Sequence, residues 1–307
     1  MRVTQSMLSN NMLRNLNTNY NKMSTYQDQL NSGKMINRPS DDPVVAVKGM
    51  GYRIDLDKKE QYQRNIRQAH TWLDSTDKAL DQVGNVLNRV KSLIVKAAND
   101  TNTTADRQKI NQEITQIKQH IQDLANTKVA ENYIFSGTNT SSPLFKTDGT
   151  IQTPTDLTGL EKPIEVNVFD GIKVQINTGG VDLFGNIDNF MTELQDLLNS
   201  DTSGEKIGQA LGASFTNGAS PTIPGLDALT EALLVKRAEI GAKQNRVELM
   251  EERLSLQEIN ISKQMSLNED TDYAKTITKM VTAESIHQAS LSVGAKIIQQ
   301  TLVDFIR

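Results

Sequence analysis

Few residues of this chain have the types and spacing that chemistry needs. Its three histidines, His70, His120 and His287, stand tens of residues apart within helical patterns. A solvated or satisfied imidazole on a helix face is the plain reading, because a catalytic or metal role would have no local partner. Asp41 and Asp42 are adjacent carboxylates that could hold a cation, yet no further acidic or His ligand stands beside them. A hard cation takes about six to eight oxygens, so two neighbours make a poor site. The 307 residues include no Cys, which excludes disulfides, thiolate metal sites and Cys nucleophiles. No GxGxxG, P-loop, HExxH or GxSxG pattern occurs. Carboxylates are common, but nothing singles out a pair for acid–base work. No catalytic residue, cofactor site or metal site is expected.

The elements behind these residues are helical. Apolar or small residues recur in steps of three and four at Ala274, Ile277, Val281, Leu291, Ala295, Ile298, Leu302 and Phe305, interrupted by Glu284 and Gln288. That is a heptad stripe, the spacing that keeps one side of a helix against a partner. The stripe continues almost to Arg307, so the C-terminal helix is expected to be an interaction element. Near the other end, Leu13, Leu16, Tyr20, Met23, Gln27 and Leu30 keep the same spacing over residues 4–32. The rest of that segment is Asn, Gln, Ser and Thr, a helix marginal on its own, and Gly33 reads as its C-cap. Antiparallel pairing of the two terminal helices is the simplest cover. Methionines at or near seam positions (Met7, Met12, Met23, Met250, Met265, Met280) read as adaptable packing.

Composition fits long helices that each bury a stripe, since 37% of residues are hydrophobic, 5% are aromatic and there is one Trp. A net charge of -4 leaves no basic surplus for phosphates, so no nucleic-acid partner is expected. Scattered Lys and Arg, with no run of about 18 apolar residues, argue against a membrane partner. The first residues carry no apolar h-region and no small-residue cleavage site, so they are not read as a cleaved signal peptide.

Between the ends the pattern changes several times. The stretch Gly33–Pro43 holds Asn37, Arg38, Pro39, Asp41, Asp42 and Pro43; two prolines forbid a continuous helix, and Asp42-Pro43 has the N-cap and N1 order of a new one. It is expected to be a shaped connector. The next helix should reach about Asn99, with Ile66, Ala69, Leu73, Thr76, Leu80, Val83, Leu87, Val90, Ile94 and Ala97 on one face. After a polar turn, Ile110, Ile114, Ile117, Ile121 and Leu124 mark a second helix and an αα-hairpin. From 136 to about 185 Thr, Gly, Pro and Asp dominate, and alternation around Asp170-Gly171 reads as a β-hairpin in an insertion furthest from the termini. A short helix over 186–199 and a loop over 201–224 follow. A return helix keeps register from Leu226 to Ile261, and the register slips by one between 262 and 273, where Ser266 and Glu269 form a capping-box pattern. The expected fold is mainly α: long antiparallel helices forming a rod, comprising a terminal coiled coil and a helical bundle, with a small β-containing outer insertion. The expected domains are 1–42 with 270–307, 43–137 with 205–269, and 138–204.

Three motifs and the terminal heptads carry a family resemblance: Gly-Lys-Met-Ile-Asn-Arg-Pro-Ser-Asp-Asp-Pro (33–43), Tyr-Ile-Phe-Ser-Gly-Thr (133–138) and Glu-Asp-Thr-Asp-Tyr-Ala (269–274). The chain resembles bacterial flagellin and its axial relatives, more closely those of the hook-associated type; Met35 stands where Arg is usual. The resemblance covers about two thirds of the chain and little of 139–220. It implies a non-enzymatic subunit of the flagellum at the hook–filament junction. Its partners would be copies of itself in a ring, a neighbouring hook-associated protein, and flagellin. Export would be unfolded through a type III gate without a cleaved signal peptide, with a cytoplasmic chaperone on the C-terminal helix. The implied assembly surface is Leu13, Leu16, Tyr20, Met23, Leu30, Ile277, Val281, Leu291, Ala295, Ile298, Leu302 and Phe305. Filament flagellin and a non-flagellar coiled-coil interaction protein are the alternative readings.

Overall fold

The computed structural model describes residues 5–99, 103–146, 148–151, 162–200, 204–215 and 223–303. In chain order these form α1 (Gln5–Ser32), α2 (Pro43–Ala97), α3 (Thr104–Ala125), β1 (Lys128–Val129), β2 (Asn132–Tyr133), β3 (Glu165–Phe169), β4 (Ile172–Gln175), α4 (Val181–Asn199), α5 (Gly204–Gln209), β5 (Ser214–Phe215), β6 (Ile223–Pro224), α6 (Leu226–Glu269) and α7 (Tyr273–Val303). Among the described residues the strands pair as three two-stranded antiparallel sheets. The chain is mainly α with a small β-containing segment. It divides into two compact units, Met1–Lys59 with Leu256–Arg307 and Glu60–Ser255.

The second unit holds the core. Every member of the α2 heptad from Ile66 to Ala97 is buried, as the sequence spacing requires, and the polar member Thr76 bonds the Trp72 carbonyl at 2.8 Å. Leu229, Leu233, Ile240, Val247 and Leu254 of α6 and Ile110, Ile114 and Ile121 of α3 join the same cluster. Side-chain contacts fix α2 antiparallel to α6: ion pairs join Lys91 to Asp227 at 3.1 Å and Arg237 to Asp77 at 3.0 Å, and His70 lies 3.3 Å from Glu251. Thr103 caps α3 by accepting the Asp106 amide.

Three expectations are corrected in detail. The β3–β4 hairpin does turn at Asp170-Gly171, but it lies back beside the start of α2's core segment. The Tyr62 hydroxyl donates to Asp170 at 2.8 Å, Asn65 donates to the Asn167 carbonyl at 2.7 Å, and Arg253 lies 4.4 Å from the Phe169 ring centroid. Two strands alone cannot cover Val168 and Val174, so the hairpin borrows helix surface. Part of the expected loop over 201–224 is ordered as α5, β5 and β6. Ser266 and Glu269 do not start a helix: α6 runs through both, and α7 begins at Tyr273 with Asp272 accepting the Lys275 amide at 3.1 Å.

Candidate assembly surface and connector

In the first unit α1 and α7 lie antiparallel. Asn19 donates to the Ala283 carbonyl at 2.8 Å, the Tyr20 and His287 rings are 6.1 Å apart, and Lys279 sits 6.0 Å from the Tyr26 ring. The buried and half-buried positions of α7 are Thr276, Met280, Ala283, His287, Ser290 and Gly294. Those of α1 are Ser9, Met12, Leu16, Asn19, Met23, Tyr26 and Leu30, with Gln29 beside them. Both sets keep heptad spacing, so the seam is real: α1 brings mostly large side chains to it, and α7 answers mainly with small and polar ones. Met12 fills the hollow above Gly294, where a β-carbon would collide with its terminal methyl.

On α7 the apolar stripe read from the sequence is therefore not the seam. Ile277, Val281, Leu291 and Ala295 each follow a seam residue by one position and are exposed, as are Leu13 and Tyr20 on α1. One residue is a rotation of about 100° around a helix. Because the helices are antiparallel, the same one-residue offset on both brings the two stripes to the same flank of the pair. The two stripes therefore cover each other only in part: α1 turns Leu16, Met23 and Leu30 into the seam, whereas α7 meets them with small side chains and leaves its bulky ones outside. Of the expected surface residues, Leu16, Met23 and Leu30 are half-buried in the seam. Ile298 and Leu302 fall within α7 in the stripe's register, and Phe305 lies outside the described residues. On the opposite flank Leu8, Met12, Ile286 and Val293 line a groove of about 420 Å³. Apolar side chains thus stand on both flanks.

The connector is held by its own side chains. Gly33 adopts φ +69, a left-handed turn that ends α1 while its N–H bonds the Gln29 carbonyl at 2.9 Å. Asp41 accepts the amides of Asn37 and Arg38 at 3.2 and 2.9 Å. Asp42 caps α2 by accepting the amides of Val44 and Val45, with Pro43 at the first helical position. Both carboxylates are thus occupied by backbone amides, which is a turn and a cap. Asn37, Arg38 and Pro39 line a cleft of about 150 Å³ with Ile36 and Met50.

The connector lies opposite the register break at 262–273, as antiparallel pairing of the terminal helices requires, and the sequence did not show the bonds that tie the two. A short antiparallel ladder joins it to the α6–α7 junction: the Met35 amide donates to the Glu269 carbonyl at 2.6 Å and the Thr271 amide to the Gly33 carbonyl at 2.9 Å. The side chain of Glu269 is buried, 2.6 Å from Arg53 and 3.6 Å from Lys34, and it rests against Gly49. Lys34 also reaches Asp270 at 2.7 Å. The hydrogen bond from Lys34 holds the Asp270 carboxyl below its ordinary value, helped by Ser266, and the same bond pushes the Lys34 ammonium up. Gly49, inside a helix, is the sequence signal that could have pointed to Glu269. Among the described residues no group of His, Asp and Glu could hold a metal ion, and no helix is long and apolar enough to cross a membrane.

Comparisons agree with this architecture. The N-terminal helical region of bacterial flagellin matches residues 3–140 and its C-terminal helical region matches residues 223–306. Together they span more than two thirds of the chain. The chain belongs to the flagellin-like family. Members of that family are structural rather than enzymatic, and this chain is a flagellar structural protein. It is 25% identical to a flagellin of Bacillus subtilis, over 98% of this chain and 97% of that protein. It is 24% identical to flagellar hook-associated protein 3 of Escherichia coli, over 94% of this chain and 93% of that one. Among solved structures, a putative flagellar hook-associated protein from Vibrio parahaemolyticus superposes with a TM-score of 0.64 at 21% identity, covering 75% of this chain and 99% of its own. FlgL of Bacillus cereus gives 0.56 at 22% identity, covering 70% and 99%.

Proposed function

We propose that this chain is the subunit of the junction between hook and filament, where copies of it form a ring between a neighbouring hook-associated protein and the first flagellins. The observation that carries this reading is the pair α1–α7, which leaves apolar side chains on both flanks. A helix pair with one sticky face can close as a two-fold dimer. One with two different sticky faces packs heterologously, each copy between two neighbours, and closes only as a ring or continues as a helix. Fully burying a Val, Leu or Ile contributes about 1.5–3 kcal/mol, so the two flanks together supply a large drive once neighbours are present. Residues 1–42 with 270–307 are the assembling part in this reading, 43–137 with 205–269 support it, and 138–204 are a β-containing addition to that support.

The junction rather than the filament is favoured by fold. The Vibrio parahaemolyticus and Bacillus cereus structures, both hook-associated or FlgL chains, are matched over nearly their whole length, and the flagellar junction protein FlgL of Legionella pneumophila superposes with a TM-score of 0.56. Flagellin remains the second reading because sequence identity to flagellins is equally high. Before assembly the exposed stripe needs cover, which a cytoplasmic chaperone on α7 would supply during unfolded export without a cleaved signal. Immunogold electron microscopy of intact flagella, with antibody to residues 139–220, tests the reading. A single band where hook meets filament is expected; label along the whole filament makes the chain a flagellin.

A further inference from the structure

The second unit carries an open cleft of about 720 Å³ that assembly through α1 and α7 does not use. Its size is that of a small-molecule site, roughly 300–1,000 Å³. One wall is the C-terminal half of α3, a second is formed by Pro143, Phe145, Lys146, Asp148 and Gly149, and Gln195 of α4 closes the side. These walls are fixed. The Asn126 carboxamide grips the Phe145 backbone twice, donating to its carbonyl and accepting from its amide, both at 2.9 Å. Gln122 donates to the Gly149 carbonyl at 3.3 Å and to Asp188 at 2.8 Å, and Gln195 donates to Thr115 at 2.8 Å.

The bonds of Gln122 and Gln195 use amide nitrogens, so among the described residues both Oε1 atoms remain as acceptors fixed in place. Gln119 and Asp123 on α3 and the hydroxyl of Tyr133 add further donors and acceptors at the same wall. The charge is balanced. Two lysines, Lys118 and Lys146, face two aspartates, Asp123 and Asp148, and Lys118 is already engaged by Asp188 at 3.4 Å and Thr192 at 2.7 Å. Such a lining gives an anion no net attraction, and no metal-binding cluster stands there among the described residues. Fixed carboxamides, exposed carboxylates and the Tyr133 ring side by side suit a neutral ligand dense in hydroxyls, whose ring faces stack while its edges hydrogen-bond.

We propose that this cleft binds a neutral saccharide of about two rings. Pre-set walls lower the ordering cost of binding, and an open polar site of this kind holds its ligand with a dissociation constant on the order of 1 mM. The test is saturation-transfer NMR on the full chain with lactose, maltotriose and N,N′-diacetylchitobiose, and with glucose 6-phosphate as a charged control. At least one neutral sugar should bind saturably and more tightly than the phosphate. The double variant Gln119→Ala with Asp123→Ala should lose about tenfold or more in affinity, with its thermal transition unchanged because both side chains are exposed. Tyr133→Ala should weaken stacking in the same direction. Failure of all three neutral sugars to bind, binding that survives both variants, or preference for the phosphate would overturn the proposal. None of these results bears on where the protein sits in the flagellum.

Discussion

The carboxylate of Glu269 occupies the space that a β-carbon on Gly49 would fill. Glu269 is 3% exposed, whereas the Arg53 and Lys34 side chains that flank it are 58% and 38% exposed. The pair is therefore screened on the cationic side, and its value lies nearer that of a surface bridge than of a buried one. Shape is the stronger constraint. Gly49→Ala must push the carboxylate away from Arg53, a loss of about 1–3 kcal/mol. Gly51, two residues on, faces open space, and Gly51→Ala should stabilise the helix by about 0.4–1 kcal/mol. Urea unfolding of the two variants checks the contrast, and equal effects would refute the steric account.

The latch between Lys34 and Asp270 fixes a pH window. Asp270 lies below its ordinary 3.8 because of the Lys34 hydrogen bond, so its contribution is present above that value and fades as pH falls through the lowered pKa. Lys34 lies above its ordinary 10.5 because of the same bond, so its contribution is full below that value and is lost as pH rises through the raised one. The latch should hold between about pH 4 and 10 and open at both ends. The melting difference between the natural chain and Lys34→Met, followed across pH, should be flat in the middle and vanish at both extremes. A difference that persists at about pH 2 would show that Lys34 acts through packing.

Stripe and seam should respond to mutation in opposite ways. Val281→Ser and Leu291→Ser alter side chains that are 55% and 48% exposed, so the isolated chain should keep its stability within about 0.5 kcal/mol. Incorporation into flagella should nevertheless fail, because neighbours lose their apolar contact. Ala283→Asp, at the buried seam, should instead loosen α1 from α7 in the isolated chain, seen as faster amide exchange at both helices. Normal motility with Val281→Ser and Leu291→Ser combined would remove the stripe from the assembly surface.

This division shows what was legible in the sequence. The α2 heptad from Ile66 to Ala97 and the hairpin at Asp170-Gly171 could be read directly, because large apolar residues sit where the core is. Periodicity fails where burial and hydrophobicity part company. On α7 the buried positions are Thr276, Ala283 and Gly294, with Ser290 half-buried, which no hydrophobic pattern marks, while Ile277 and Val281 advertise a partner outside the chain. The spacing marked the stripe on α7 but gave no sign that the seam lies one residue away from it. The Glu269 site was illegible for a related reason: a buried carboxylate is placed by residues far away in sequence, and Ser266 and Glu269 imitate a capping box by spacing alone.

The fit of Met12 over Gly294 tests whether the small-residue seam sets the distance between α1 and α7. A β-carbon on Gly294 meets the far end of the Met12 side chain, which has three rotatable bonds and can retreat. Gly294→Ala alone should therefore weaken the pair moderately, by about 1 kcal/mol, despite the gain in helix propensity. Met12→Ala alone should open a gap of similar cost at this half-exposed site. The double variant should recover part of both losses, with a coupling of about 0.5 kcal/mol or more. Amide exchange at α1 reads the pairing directly, without assembly. Additive losses would mean that the methionine and the glycine do not meet, and that the closeness of the helices is set elsewhere along the seam.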